Sequence, residues 1–249
     1  MVKKLLLSTI ITANLYGLSG IEVAKRSYDV MSGYKSSISL TTMILKNKNG
    51  QKNVRKLEIK KLENSSGDKS LITFLYPNDI KDTKLLSHEK IAKDDHQWLY
   101  LPALKRIKRI SSRNKSGSFM ASEFSYEDIS SQNYKNYSYE RVAKKVIKRG
   151  KEYYEVIRFP KDKNSGYSKQ IIYLDSKSFL AHFGEYFDKQ KRLLKKVEFM
   201  EYHKIQGVYR IKKIKMINVQ NGKSSMLIWD KDTINQSIDA KAFTKRALQ

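Results

Sequence analysis

Apolar and polar residues alternate along most of this chain, and the stretch from Ile38 to Ile44 is an early example. Alternation with a period of two residues predicts strands that bury one face. Asn-Gly pairs at 49–50 and 221–222 are strong hairpin signals, and other short turns separate the later stretches. Roughly ten or more strands joined by short turns, without alternating helices, predict one continuous antiparallel sheet and a mainly β fold.

A helical pattern precedes the first strand. Apolar residues between Ile21 and Ser32 are spaced loosely as on one face of a helix, and Gly33 is suited to end it. A sheet of so many strands curls or closes to limit its exposed edges. If it curls only part way, its concave face is apolar and needs a covering element.

The longest irregular stretch runs from Gln97 to Ser131. It begins with alternating aromatic and aliphatic residues that Pro102 stops, because proline cannot donate to a sheet ladder. A basic run and a small polar segment follow, and an aromatic patch comes next. Loops longer than about a dozen residues are usually functional or disordered, and the apolar residues here argue against disorder. Ser125 and Asp128 have the spacing of a capping box and predict a short helix.

Three segments of this stretch read WLYLPALKRIKRIS, KSGSFM and EFSYEDIS. They closely resemble segments of a family of bacterial outer-membrane lipoprotein-sorting proteins, which is similar in fold to the periplasmic lipoprotein carrier LolA. The resemblance extends to KSLITFLYPNDIKDTKLLSHE at 69–89, SGYSKQIIYLD at 165–175 and AFTKRAL at 242–248. It implies a half-open antiparallel β-barrel, LolA/LolB-like, with a few short helices covering the concave face and acyl chains held inside. The helix predicted for residues 21–32 would lie against that face.

Composition and the first residues indicate a folded, exported protein. The 249 residues are 40% hydrophobic and 11% aromatic, enough for the core of one β domain. Residues 1–19 have the form of a secretory signal peptide, with Lys3 and Lys4 ahead of an apolar run. An ordinary first helix or a membrane anchor is the alternative, although the run is shorter than the roughly 20 residues that span a bilayer. Residues 20–249 would then be a single LolA-like lipid-carrier domain.

The chain is strongly basic and has no cysteine. Its formal net charge is +25. Such a charge favours nucleic acid as the partner of a cytoplasmic protein, but the export signal argues against that class. Attraction to anionic lipid surfaces is one remaining interpretation, and lysines spread over solvated strand faces are the other. The absence of cysteine excludes disulfides, thiol catalysis and a lipid-modified cysteine.

The sequence lacks the patterns of common catalytic sites. Its four histidines have no HExxH spacing and no cysteine partners, which argues against a zinc site. The Gly-Lys-Ser at 222–224 imitates the end of a phosphate-binding loop, but Ile217 stands where the first glycine belongs. No G-x-S-x-G nucleophile elbow is present. We therefore predict no catalytic site, no metal site and no cofactor, and a protein that is not an enzyme.

Apolar residues of the central stretch, together with one residue of the strand at 70–76, are candidate lipid contacts. Because a lipid-contacting lining and an ordinary core both predict burial, both interpretations stay open. The candidates are Phe74, Trp98, Tyr100, Leu101, Phe119, Met120, Phe124 and Tyr126. The basic run is the candidate contact for a lipid headgroup or a partner, with solvated strand charges as the alternative. It consists of Lys105, Arg106, Lys108 and Arg109.

The resemblance implies a periplasmic carrier of a Gram-negative bacterium that shields the acyl chains of lipoproteins, or of another lipid, between the inner and outer membranes. Its partners would be an acylated lipoprotein or other lipid and a transporter of the resistance-nodulation-division (RND) type. The carrier would be a monomer and would not bind nucleic acid. The alternative is a periplasmic binding module for anionic polymers or protein partners that holds no lipid. An enzyme acting on lipids is a third hypothesis.

Overall fold

The computed structural model describes residues 17–91, 93, 95–130 and 132–249. The predicted signal peptide, residues 1–19, lies outside the described residues except for its last three. Two α-helices occur in the described part, α1 at Gly20–Asp29 and α2 at Tyr126–Ile129. In this part of the chain, no helix has the length and apolar character needed to span a membrane.

Strands make up most of the remaining described chain, and adjacent strands pair antiparallel. Within the described residues they form one 14-stranded sheet. In chain order they are β1, Ser36–Lys46; β2, Lys52–Leu62; β3, Lys69–Tyr76; β4, Lys84–His88; β5, His96–Leu101; β6, Arg106–Ile110; β7, Tyr137–Tyr139; β8, Lys144–Lys148; β9, Lys151–Pro160; β10, Tyr167–Asp175; β11, Ala181–Asp188; β12, Leu193–Ile205; β13, Val208–Asn218; and β14, Ser224–Ile234. The predicted mainly β fold is confirmed.

The first and last strands meet in the middle of the sheet. β1 pairs with β14, from Ser37 opposite Ile234 to Lys46 opposite Ser224, and the other strands follow on either side. β6 lies at one edge, while β7 and β8 both pair with β9 at the other. In the described chain the two edges do not pair with each other. The sheet is therefore open, as the half-open fold requires.

Tight turns with glycine connect the central strands. Gly50 and Gly222 have φ angles of +85° and +72°, in the left-handed region that glycine adopts without strain. The two Asn-Gly hairpins predicted from the sequence, which join β1 to β2 and β13 to β14, are confirmed. Because each hairpin fixes the register of its strands, their alternating apolar residues face the same side of the sheet.

The C-terminal tail covers part of the outer face of the sheet. Its two 3-10 turns, Ala240–Phe243 and Lys245–Leu248, bury Phe243 and Leu248 completely. Both side chains belong to a small core that includes Leu71 of β3. β3, whose sequence has apolar residues on both faces, is therefore covered on both sides, because the main core lies on the concave face.

The chain between β6 and β7 connects opposite edges of the sheet, and it packs on the concave face. Residues 111–130, the cover segment, contain 3-10 turns at Ser112–Asn114 and Phe119–Ala121 and then α2. Phe119 and Phe124 are buried in the main core. The long irregular stretch in the sequence is thus the covering element that a partly curled sheet needs.

Candidate functional site

The concave face of the sheet, α1 and the cover segment partly enclose a cavity of about 420 Å³. This volume falls within the range of roughly 300–1,000 Å³ typical of small-molecule sites. Most of the wall is apolar and comes from both halves of the sheet. It includes Ile59, Ile72, Val156, Ile172, Leu174, Val197, Ile214, Leu227 and Trp229. Such a wall favours hydrocarbon, because apolar surface is removed from water there.

α1 forms one side of the cavity, and Ala24 and Tyr28 line it. In the full chain, which includes Ser19, a capping box holds the start of the helix. The Glu22 amide donates to Ser19 Oγ at 3.4 Å, and the Ser19 amide donates to the Glu22 carboxylate at 2.8 Å. These bonds satisfy amides that lack partners within the helix. The position expected for this helix, against the concave face, is confirmed.

The aromatic patch of the cover segment packs on the first half of the sheet. The centroid of the Phe119 ring lies 5.8 Å from that of Phe74 and 5.7 Å from that of Tyr126. The Arg55 guanidinium of β2 donates a hydrogen bond to the Met120 carbonyl oxygen. Aromatic packing and a polar bond therefore fix this part of the segment over β2 and β3.

Glu123 joins the same segment to the other half of the sheet. Its amide donates to Ser225 Oγ of β14 at 3.0 Å, and the Asn218 side-chain amide of β13 donates to its carboxylate at 2.9 Å. Phe124, the next residue, lines the cavity. The cover segment thus bridges the concave face and contributes directly to the cavity wall.

A buried charge network holds α2 in place. Asp128 completes the predicted capping box with Ser125 and accepts hydrogen bonds from the Tyr167 hydroxyl at 2.9 Å and the Lys195 ammonium at 3.0 Å. The Lys195 ammonium also donates to the Tyr167 oxygen at 2.7 Å. Burial, followed by the Asp128 charge, raises the pKa of Tyr167 well above its ordinary value. The sequence segments EFSYEDIS and SGYSKQIIYLD therefore contact each other through this network.

Glu127 makes a second link between α2 and the turn before β10. Its carboxylate accepts hydrogen bonds from the Ser165 hydroxyl at 2.7 Å and the Gly166 amide at 2.8 Å. Burial, and next the neighbouring Asp128 carboxylate, raise the pKa of Glu127 above its ordinary value. Because the folded protein binds this proton more tightly than the unfolded chain, the ionised form opposes folding.

Replacing Glu127 with glutamine is expected to change how stability depends on pH. As the pH falls through the raised pKa of Glu127 towards its ordinary value, the wild-type protein should gain free energy of unfolding relative to Glu127→Gln, because the glutamine amide cannot take up the proton. Chemical denaturation at a series of pH values measures this difference. Glu152→Gln is the matched control, since the Lys145 side chain lowers the pKa of Glu152 and the sign should be opposite. A difference independent of pH would contradict the prediction.

Four cationic side chains lie on the cavity wall: Lys61, Lys69, Arg158 and Arg210. The Lys61 ammonium lies 2.7 Å from the Asp68 carboxylate, and the Arg210 guanidinium lies 2.7 Å from the Asp232 carboxylate. Arg158 instead donates to two glutamine side chains. Buried charges are normally paired, so the pairs of Lys61 and Arg210 are satisfied without a ligand.

The eight candidate lipid contacts lie in three places. Among them, Phe124 lines the cavity. Trp98 and Tyr100 lie on the outer face with the C-terminal tail, because alternation in β5 directs them away from the side of Leu99. The others belong to the main core on the concave face: Phe74, Leu101, Phe119, Met120 and Tyr126. Lipid contact by these residues stays a prediction.

The candidate basic residues are exposed on the hairpin formed by β5 and β6. Lys105 lies in its turn, and Arg106, Lys108 and Arg109 lie on β6. Leu104, at its tip, is 62% exposed, and Lys105 has a φ of +47° at the end of the 3-10 turn. None of the four basic residues lines the cavity. We call Leu104 and these residues the basic tip. Its members are Leu104, Lys105, Arg106, Lys108 and Arg109.

Much of the cavity wall comes from residues that sequence reasoning did not single out. Val156, Ile172, Val197, Ile214 and Leu227 lie on strands of the second half. The signal for them is the alternation of aliphatic residues in those strands. Alternation gives two faces, however, and only the position of α1 and the cover segment shows which one is concave.

Comparison with protein families gives one match over most of the chain. A family model described as "Uncharacterized protein" matches residues 66–249. Among curated proteins, none matches this sequence.

Solved structures include close matches to the whole described fold. A protein from Vibrio parahaemolyticus, described as an outer membrane lipoprotein-sorting protein domain, is 38% identical, with a TM-score of 0.88 and coverage of 92% of this chain and 97% of that chain. A DUF1329 family protein from Desulfovibrio piger is 28% identical, with a TM-score of 0.87 and coverage of 92% and 98%.

A third structure extends the likeness at the level of the fold. A LolA superfamily protein from Nitrosomonas europaea is 16% identical, with a TM-score of 0.76 and coverage of 93% of this chain and 100% of that chain. The predicted LolA-like fold is confirmed by this match and by the open sheet. From its identity to the Vibrio parahaemolyticus domain over nearly the whole chain, the protein belongs to the outer membrane lipoprotein-sorting protein family, with the fold of the LolA superfamily.

Proposed function

We propose that this protein is a periplasmic carrier that shields the acyl chains of a lipoprotein, or of another lipid, during transfer between the inner and outer membranes. The observation that carries the proposal is the apolar, partly enclosed cavity between the concave sheet face, α1 and the cover segment. The description of the Vibrio parahaemolyticus relative as lipoprotein-sorting supports the same role. Residues 1–19 would direct export, and residues 20–249 would form the carrier domain.

The transfer would be passive. Burying hydrocarbon contributes ~0.8 kcal/mol per methylene, so affinity grows with chain length and needs no specific polar contact. The ligand would enter and leave as α1 and the cover segment separate from the sheet. We further propose that an inner-membrane transporter of the RND type loads the carrier and that the carrier acts as a monomer.

The proposal is tested by native mass spectrometry of the protein after gentle extraction from the periplasm. A bound lipoprotein or lipid, released when the protein is unfolded, is the expected result. An empty protein that also fails to bind an added fluorescent fatty acid would contradict the proposal. Turnover of an added lipid would instead favour an enzyme.

A second candidate is a binding module for anionic polymers or protein partners. The net charge of +25 and the exposed basic tip favour it. Such a module would bind polyanions with strong salt dependence and would hold no lipid. The same mass spectrometry distinguishes it from the carrier, because the module would leave the cavity without a ligand in every preparation.

We propose that the basic tip brings the carrier to anionic membrane surfaces. Reversing all four of its charges to glutamate is expected to weaken binding to vesicles that contain phosphatidylglycerol by at least tenfold at about 0.1 M salt. The reason is that each lysine or arginine near such a surface contributes roughly 1 kcal/mol. Vesicle co-sedimentation measures the effect.

The matched control removes the same charge at exposed positions away from the tip. It reverses Lys144, Lys212, Lys231 and Lys241 to glutamate. Equal loss of vesicle binding in both variants would show that net charge, and not the basic tip, is responsible. Binding of a fatty acid in the cavity should be unchanged in both, since neither set of residues lines the cavity.

A further inference from the structure

Arg158 differs from Lys61 and Arg210, two other cations on the cavity wall, in having neutral hydrogen-bond partners. Its Nε atom donates to Gln170 Oε1 at 2.7 Å, and its Nη2 atom donates to Gln132 Oε1 at 3.1 Å. Its guanidinium carbon lies 4.0 Å from the centre of the Tyr137 ring. Among the described residues, no carboxylate forms an ion pair with it, whereas Lys61 and Arg210 each have one.

This arrangement fixes the guanidinium and leaves its positive charge uncompensated. Gln170 faces Arg158 in the pairing of β9 and β10 and is only 2% exposed, so the position of Nε is set by a rigid, buried acceptor. The neutral amides and the Tyr137 ring orient the group without cancelling its charge. A guanidinium that is held in position but has no anionic partner is suited to bind a carboxylate or a phosphate.

Arg158 also lies where two cavities meet. A second, more polar cavity of about 310 Å³ adjoins the apolar one, and both are lined by Asp95, Asp128, Ser130 and Gln132. Arg158 lines the apolar cavity, while its partners Gln132, Gln170 and Tyr137 line the polar one. An amphiphile with its chain in the apolar cavity would place its headgroup at this boundary.

In the part of the chain that the structure describes, the carboxylates at the boundary of the two cavities form no ion pair with Arg158. Asp128 is paired with the Lys195 ammonium at 3.0 Å. Asp95 accepts a hydrogen bond from the Lys90 amide at 2.9 Å. The positive charge of Arg158 therefore remains available to a ligand.

We infer that Arg158 binds an anionic oxygen group of the lipid whose chain occupies the apolar cavity, either a carboxylate or a phosphate ester. This inference rests on the proposed function and names the chemical class of its ligand. Arg158 would favour anionic over neutral lipids of equal chain length, because hydrogen bonds between charged groups are stronger than neutral ones.

The test compares lipids that differ only in charge. Palmitate is paired with methyl palmitate, and lysophosphatidate with monoacylglycerol, each displacing a fluorescent fatty acid ester from the full-length mature protein. The wild-type protein should bind at least one anionic lipid about tenfold or more tightly than its neutral counterpart. The pair that shows the preference identifies the group as carboxylate or phosphate ester. Arg158→Gln should remove the preference, because it should weaken binding of the anionic lipid about tenfold or more and binding of the neutral lipid far less.

Two further variants separate recognition from structure. Arg158→Lys keeps the charge and should keep most of the preference, whereas Arg141→Gln removes an exposed arginine outside both cavities and should have no effect. Equal affinity of the wild-type protein for both members of each pair would overturn the inference but leave the proposed carrier intact. An equal loss of affinity for anionic and neutral lipids in Arg158→Gln would also overturn the inference. Failure of the wild-type protein to bind any of these lipids would overturn the proposed function as well.

Discussion

Replacing Asp128 with alanine is expected to lower the free energy of unfolding by about 3–5 kcal/mol, the cost of breaking a buried ion pair by removal of one partner. The Asp128 side chain is 5% exposed and the Lys195 side chain 9%. Without the carboxylate, the Lys195 ammonium keeps only the Tyr167 hydroxyl as a hydrogen-bond partner in this network, and α2 loses its capping box. Both losses weaken the attachment of the cover segment to β10 and β12.

Equilibrium denaturation with urea measures this loss. The double variant Asp128→Ala with Lys195→Met should recover part of it, because no unpaired charge then remains buried. Glu152→Ala is the control, since its ion pair with Lys145 is exposed to solvent and should contribute far less to stability. A loss in Asp128→Ala no larger than that of the control would mean that water reaches Lys195 and that the network does not hold α2.

The local parts of this fold could be predicted from the sequence because their causes are local. Alternating apolar residues gave most of the strands, and the two Asn-Gly pairs gave their hairpins. The spacing of Ser125 and Asp128 gave the capping box of α2. In each case residues a few positions apart determine the backbone conformation.

The arrangement of the strands depends on pairing between distant parts of the chain. Ser37 of β1 lies opposite Ile234 of β14, and no short-range pattern specifies that contact. It places β6 and β7 at opposite edges, which in turn sends the cover segment across the concave face. The resemblance to the lipoprotein-sorting family supplied the open sheet and its covering helix, which periodicity alone did not.

The candidate site was only partly predictable for the same reason. Trp98 and Leu99 are adjacent in the sequence, yet one packs with the C-terminal tail on the outer face and the other in the main core. Both faces of this sheet bury apolar residues, so hydrophobicity does not distinguish the cavity wall from the outer core. The buried ion pair of Lys195 could not be predicted from the sequence either, because Lys195 and its partner Asp128 are 67 positions apart.

Replacing Ala24 with tryptophan is expected to reduce the affinity for a long-chain fatty acid by about a hundredfold. Ala24 lines the cavity from α1, so the indole ring would occupy space needed by the acyl chain. If the ring displaces about four methylenes, the loss is roughly 3 kcal/mol of burial, which corresponds to that change in Kd. Titration with a fluorescent fatty acid measures it. The free energy of unfolding should stay the same or rise, because the ring fills a cavity.

The neighbouring position provides the control. Lys25 lies on the same helix with a side chain that is 55% exposed, so Lys25→Trp adds the same ring outside the cavity and should leave binding unchanged. Ala181→Trp repeats the test from β11, a strand of the sheet that also lines the cavity. If α1 swings outward to admit the new ring, Ala24→Trp will bind normally while Ala181→Trp will not. Unchanged affinity in both variants would mean that the acyl chain binds elsewhere, because each ring would occupy part of this cavity.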